Sequence, residues 1–171
     1  MEDTMDRTLD LLKPVNRIRR NHALEHATLN ILAGQGYPRL SGYSDWNGFW
    51  VIGEVPTEML QAATNQALQR LEAGEAALAI HSHCGTNYVA SGVAAGTAAW
   101  LVMLGGDRKS RWNRLPFVIA LSTLAVIASQ PLGPWLQKKV TTQARVGEMK
   151  ITEITLYQRG MPTLHRIKTK G

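Results

Sequence analysis

The stretch Leu78-Ala79-Ile80-His81-Ser82-His83-Cys84-Gly85-Thr86-Asn87 decides how this chain folds. Before it the sequence is mixed and mildly acidic: residues 1–87 carry 7 Lys/Arg against 10 Asp/Glu. From Cys84 to Gly106 there is no charged residue at all. The short apolar run from Ala76 to His81 reads as a buried strand that delivers His81, Ser82, His83 and Cys84 at its C-terminal end. Two histidines and the single cysteine therefore stand where an α+β unit meets an apolar segment.

The apolar segment has a second half. Leu115 to Gln137 is again free of charge, and each run is 23 residues long. A membrane-spanning helix needs about 20 mostly apolar residues, so both runs are long enough. They predict a transmembrane α-helical hairpin over 88–136, with spans at 88–106 and 115–136. A buried globular hairpin is the alternative, but so small a chain has little else with which to cover two such helices. Gly92 and Gly96 have the small-xxx-small spacing that lets helices approach, which suits a membrane-protein partner or a homodimer. Trp100, Trp112 and Trp135 suit membrane interfaces. Pro131 and Pro134 should disturb the last turn of the second span.

Upstream, Pro14 opens a helix that runs to about Ala33 and stops at Gly34 and Gly36. Val15, Ile18, His22, Glu25, Leu29 and Leu32 form one stripe, and Arg17, Arg19 and Arg20 fall off it, facing solvent or headgroups. Residues 1–12 read as a short helix or arm. Asp45-Trp46-Asn47-Gly48 is a hairpin turn, followed by the strand Phe49–Ile52. A second helix begins at Pro56, buries Met59, Leu60, Ala63, Ala67, Leu68 and Leu71, and ends at Gly74. Downstream of the hairpin, Met149–Tyr157 and Thr163–Thr169 read as two strands around Gly160-Met161-Pro162. The expected fold class is thus α+β, interrupted by the helical hairpin: a metal-site region over 1–87, the hairpin over 88–136, and a β-hairpin over 137–171 that completes the sheet.

The net charge of +6 is local: four Lys/Arg to one Asp over 88–136, and eight to two over 137–171. A basic loop and tail beside apolar segments favour the lipid bilayer and its anionic headgroups over nucleic acid. No RNA-binding signature accompanies them. One cysteine excludes an intramolecular disulfide framework. The acidic N-terminus lacks the apolar core of a secretory signal peptide. The expected location is the plasma membrane, multi-pass, with the soluble segments and the 107–114 loop placed by opposing charge signals and the former assigned to the cytoplasm.

The chemistry lies in two clusters. His22-Ala23-Leu24-Glu25-His26 matches H-x-x-E-H, with both histidines on one helix face and able to share a metal ion. His81, His83 and Cys84 supply the remaining candidate ligands; in a strand His81 and His83 point the same way and Cys84 opposite unless the chain turns. Zinc accepts such a mixed shell; another divalent transition metal or haem is the alternative, and purely structural histidines a third reading. Glu25 is the candidate general base on a metal-bound water. Cys84 by itself reads as a small buried hydrophobe, and His165 as a surface residue. Thr86 and Asn87 are candidate caps of the first apolar helix.

Asn21-His22-Ala23-Leu24-Glu25-His26-Ala27-Thr28, taken with His83-Cys84-Gly85-Thr86-Asn87 before an apolar hairpin, resembles a family of uncharacterised small membrane proteins of cyanobacteria and Chloroflexi-type bacteria. It is similar, more distantly, to the YqhQ-type predicted metal-dependent membrane proteins. The resemblance spans roughly residues 14–136 and implies a role for Glu25, His26 and Cys84. His22 and His83 are not shared with the more distant family. Two functions follow as expectations: a membrane-anchored, zinc-dependent hydrolase of metallopeptidase type, or a non-catalytic scaffold or assembly subunit with a structural metal.

Overall fold

A helix with seven consecutive buried residues must be covered on every side. Residues 23–29 are in that state in α1, Lys13–Gly34, the central helix of the computed structural model, which describes residues 13–105, 108–158 and 162–171. The expected arm at 1–12, the loop residue Asp107 and the Gly160-Met161 turn lie outside the described residues. Leu29 and Leu32 are buried as the stripe predicts, but Val15 and Ile18 are exposed and Asn16, Arg19 and Asn21 are buried instead. The N-terminal half of α1 packs against main-chain carbonyls, which reward donors over hydrocarbon. Arg19, expected on the outside, donates from Nη2 to the Lys139 carbonyl (3.1 Å). Arg17 reaches the Thr169 carbonyl (3.0 Å). Asn21 donates to the Asp45 carbonyl (2.7 Å) and accepts from the Thr169 hydroxyl (2.6 Å), tying α1 to two strands.

Those strands belong to one antiparallel sheet of order β1-β2-β4-β3. β1 (Ser41–Asp45) and β2 (Gly48–Ile52) form the predicted hairpin around Trp46-Asn47. β4 (Leu164–Lys170) pairs with β2, and β3 (Lys150–Gln158) with β4. The C-terminal hairpin thus extends the sheet that the N-terminal one begins. Gly48 is required where β2 meets β4: its φ is +140°, and a Cβ there would lie 2.0 Å from the Ile167 carbonyl oxygen. Phe49, Val51 and Ile167 fill the inner face. His165 stands opposite Val51 and is 1% exposed, so it is a core residue and not the surface one expected. Its basic neighbours Arg166, Lys168 and Lys170 dominate the composition and hide the two-residue period of β4. The Thr57 hydroxyl lies 3.0 Å from His165 Nε2, and burial pushes the imidazole pKa down.

α2 (Thr57–Glu72) follows Pro56 and packs Leu60, Ala63, Thr64, Ala67 and Leu71 inward, with Gly74 at φ +91° beyond its end. Ala76–Ala79 is one 3-10 turn and not the expected strand. Its composition, Ala-Ala-Leu-Ala, has no β-branched or aromatic side chain to favour a pleated surface.

By packing, the chain divides into two units: residues up to His81 with Gln137–Gly171, and Ser82–Leu136. The second contains α3 (Gly85–Met103), α4 (Arg108–Asn113), α5 (Leu115–Ser129) and α6 (Leu132–Leu136). α3 and α5 pair as a hairpin. Ser129 donates to the Ser91 hydroxyl (3.0 Å), and Ser122 to the Ala95 carbonyl (3.2 Å). Arg114 closes the end of α3 by donating to the carbonyls of Val102 (3.0 Å) and Leu104 (2.7 Å). Gly92 and Gly96 face open space, since a Cβ on either would meet nothing within 4 Å. The outer surfaces are apolar: Val89, Trp100, Phe117, Ile119 and Leu124 are all more than half exposed.

No single helix among the described residues is long and apolar enough to cross a membrane. α3 has 19 residues but many are Ala and Gly, and α5 stops after 15, with Pro131 just beyond. At 1.5 Å per residue these rise about 28 and 22 Å, against a hydrocarbon core of about 30 Å. Leu115–Ser129 and Leu132–Thr141 meet the requirement together, as a pair bent by 47°. Neither Thr86 nor Asn87 is at the cap of α3: that position is Cys84, whose side chain makes no capping bond, and Asn87 donates to the Ser82 carbonyl (2.7 Å).

Candidate metal centre

The site grows out of two irregular turns whose carbonyls need donors. The last carbonyls of a helical turn have no partner within it. Around Ala76–Ala79, α1 supplies them: Asn30 Nδ2 donates to the carbonyls of Leu78 (3.0 Å) and Ile80 (2.9 Å), and His26 Nδ1 to that of Ala79 (2.8 Å). Gln137–Thr141 is a single π turn. His22 Nδ1 donates to its Thr141 carbonyl (2.9 Å). A carbonyl only accepts, so Nδ1 carries the proton in both rings, and the neutral imidazole then has its lone pair on Nε2. Metal-ligating histidines are commonly oriented in this way.

His22 and His26 lie one turn apart with ring centroids 4.2 Å from each other. The ligand atoms of His22, His26 and Cys84 all lie within 4.8 Å of one another, a group that could hold a metal ion. Cys84 is buried and sits three residues along the chain from His81, which is itself pinned: its Nδ1 donates to Asn30 Oδ1 (2.8 Å), and its amide to Gln137 Oε1 (2.8 Å). The His81 ring is 5.6 Å from that of His26, outside the three-residue group. His83 is exposed beside the Ser82 hydroxyl (3.0 Å) and also lies outside it. The donor set of two imidazoles and one thiol suits zinc.

Glu25 is buried and faces β1. The Ser44 hydroxyl donates to its Oε2, and Gly42 leaves the space its carboxylate occupies: a Cβ there would come within 2.2 Å of Oε1. Burial raises the carboxyl pKa above its ordinary value; the Ser44 bond and the His22 charge partly oppose this. Glu25 is not one of the three clustered ligands. α1 thus carries two adjoining parts, the His22/His26 pair and a buried carboxylate.

Sequence reasoning missed Asn30, Gln137, Ser44 and Gly42. Asn30 had a signal: His22, His26 and Asn30 recur every four residues, a polar ladder along one face of the helix. Gly42 and Ser44 share a strand face by alternation, but nothing in the sequence says that the face meets Glu25.

Residues 17–154 match a family described as "Domain of unknown function (DUF6391)". The chain is also similar to an uncharacterised protein of Picosynechococcus sp. (strain ATCC 27264 / PCC 7002 / PR-6), 35% identical over 143 residues. That match covers 73% of this chain, which spans 65% of the relative's length. No solved structure matches the chain.

Proposed function

The chain belongs to the DUF6391 family, and we propose that it is a membrane-anchored zinc protein whose site is built for hydrolysis. The observation that carries this reading is the pair His22 and His26, each with Nδ1 held by a main-chain carbonyl, in a group with Cys84. Three protein ligands leave a fourth position of a tetrahedral ion open, which is the mark of a catalytic rather than a structural zinc. Zinc held there supplies Lewis acidity and lowers the pKa of water. The chain's own contribution is Glu25. Burial raises its pKa, which makes the carboxylate a stronger proton acceptor, and Ser44 fixes one of its oxygens. The substrate class is a peptide or lipid-linked bond at a membrane surface.

Anchoring rests on the exposed apolar surfaces of α3 and α5, on the bent pair that begins with α5, and on the basic residues Arg111 and Arg114 beside it. The reading places the apolar unit in the plasma membrane and the sheet-bearing unit in the cytoplasm. A second reading, a structural metal in a scaffold subunit, is favoured by one observation. Glu25 is engaged with Ser44 and Gly42 of β1, as a packing carboxylate would be.

Metal content of purified Glu25→Gln and His26→Ala separates the two. The hydrolase reading expects His26→Ala to lose metal and Glu25→Gln to keep it. Loss in both variants overturns the base assignment and leaves the scaffold.

A further inference from the structure

The sheet-bearing unit holds a second cavity, lined by none of the residues of the metal centre. A cavity of about 590 Å³ is lined by Arg20, Gly147, Glu148, Lys150, Thr152, Lys170 and Gly171. Lys150 and Lys170 stand directly opposite each other on β3 and β4. Like charges at paired positions destabilise a sheet. Their neighbour Lys168 shows the ordinary remedy, an ion pair to Glu153 (2.8 Å). Among the described residues, Arg20, Lys150 and Lys170 have no such pair, although Glu148 lines the same cavity. Arg20 Nε is buried without a hydrogen-bond partner. Its guanidinium lies over Gly147, where φ is +62° and an added Cβ would sit 3.2 Å from Nη1. A glycine therefore keeps this face of the guanidinium clear.

We propose that Arg20, Lys150 and Lys170 form a binding site for a phosphate group. Three cations from a helix and two strands converge on one cavity, which Glu148 and Gly171 also line. A planar guanidinium flanked by two ammonium groups matches the several acceptor oxygens of a phosphate. The bound group removes the repulsion between Lys150 and Lys170, so binding and sheet stability are linked. The same chemistry is presented by a free phosphate and by the headgroup of an anionic phospholipid. This site does not depend on the metal reading.

The test is thermal unfolding of the full chain in a maltoside detergent, with inorganic phosphate against chloride at matched ionic strength. Parallel arms use short-chain phosphatidic acid and short-chain phosphatidylcholine. Phosphate should raise the Tm above chloride, and Arg20→Gln or Lys170→Gln should weaken the apparent affinity roughly tenfold each. Lys150→Gln is exposed and safe to fold: it should raise the Tm in chloride by relieving repulsion and blunt the response to phosphate. Arg70→Gln, in an exposed ion pair elsewhere, should leave the response intact. A larger rise with phosphatidic acid than with phosphate assigns the site to lipid; equal rises assign it to free phosphate. No rise beyond chloride with either probe overturns the proposal, as does a rise that survives both Lys150→Gln and Lys170→Gln.

Discussion

Gly42→Ala tests whether Glu25 is held where the structure puts it. The new methyl would sit 2.2 Å from Oε1, 2.5 Å from Cδ and 2.7 Å from Cγ of Glu25. The end of a glutamate is normally free to swing away at small cost. Here the side chain is buried, and its carboxylate accepts the Ser44 hydroxyl, so moving it breaks that bond. A hydrogen bond to a charged group contributes about 1.5–3 kcal/mol. Gly42 has no positive φ, so alanine also restricts the unfolded chain, which returns about 0.4–1 kcal/mol. The net destabilisation is then about 0.5–2.6 kcal/mol. In a Glu25→Ala background the methyl meets no carboxylate, and the same change should be neutral or slightly stabilising. The assay is a double-mutant cycle by urea unfolding in detergent, with coupling of at least about 1.5 kcal/mol expected. Additive effects would refute the packing of Glu25 against β1.

Two further outcomes are expected. His165 has a pKa lowered by burial, so the unfolded chain takes up its proton first as the pH falls. Stability should be full above about pH 6.5, the unfolded value, and decline below it until the folded-state pKa is reached. His165→Gln should flatten that slope in pH-dependent thermal unfolding. For the hairpin, carbonate at high pH should leave the protein in the membrane fraction. Release without detergent would remove the anchoring reading.

The sheet, α1 and α2 are legible in the sequence because each is written in local signals: Asn47-Gly48 for the turn, Gly34 and Gly74 for helix ends, and a run rich in Ile and Thr for β3. The phase of α1 is not legible. A periodic stripe predicts one buried face, whereas residues 23–29 of α1 are covered on all sides, and Arg19, His22 and His26 bond to carbonyls of turns more than 50 residues away. His165 shows the same limit, since a basic tail masks its two-residue alternation. The pairing of His22 and His26 is legible from helix spacing, whereas the choice of Cys84 over His81 and His83 is not, because a strand would turn Cys84 away from the two histidines. The turns that orient the rings are not legible either. Ala76–Ala79 reads as a strand by apolarity alone, yet it is the 3-10 turn that places the Ala79 carbonyl under His26.

The central claim, that His22, His26 and Cys84 hold one metal ion, is tested most directly by cobalt substitution. Purified protein loaded with Co²⁺ should give the intense visible bands of a tetrahedral site together with a thiolate-to-metal charge-transfer band in the near ultraviolet. Cys84→Ser should abolish the charge-transfer band, His22→Ala should weaken binding, and His83→Ala should change neither. A protein that takes up no cobalt, or whose spectrum is the same with and without Cys84, would contradict the account.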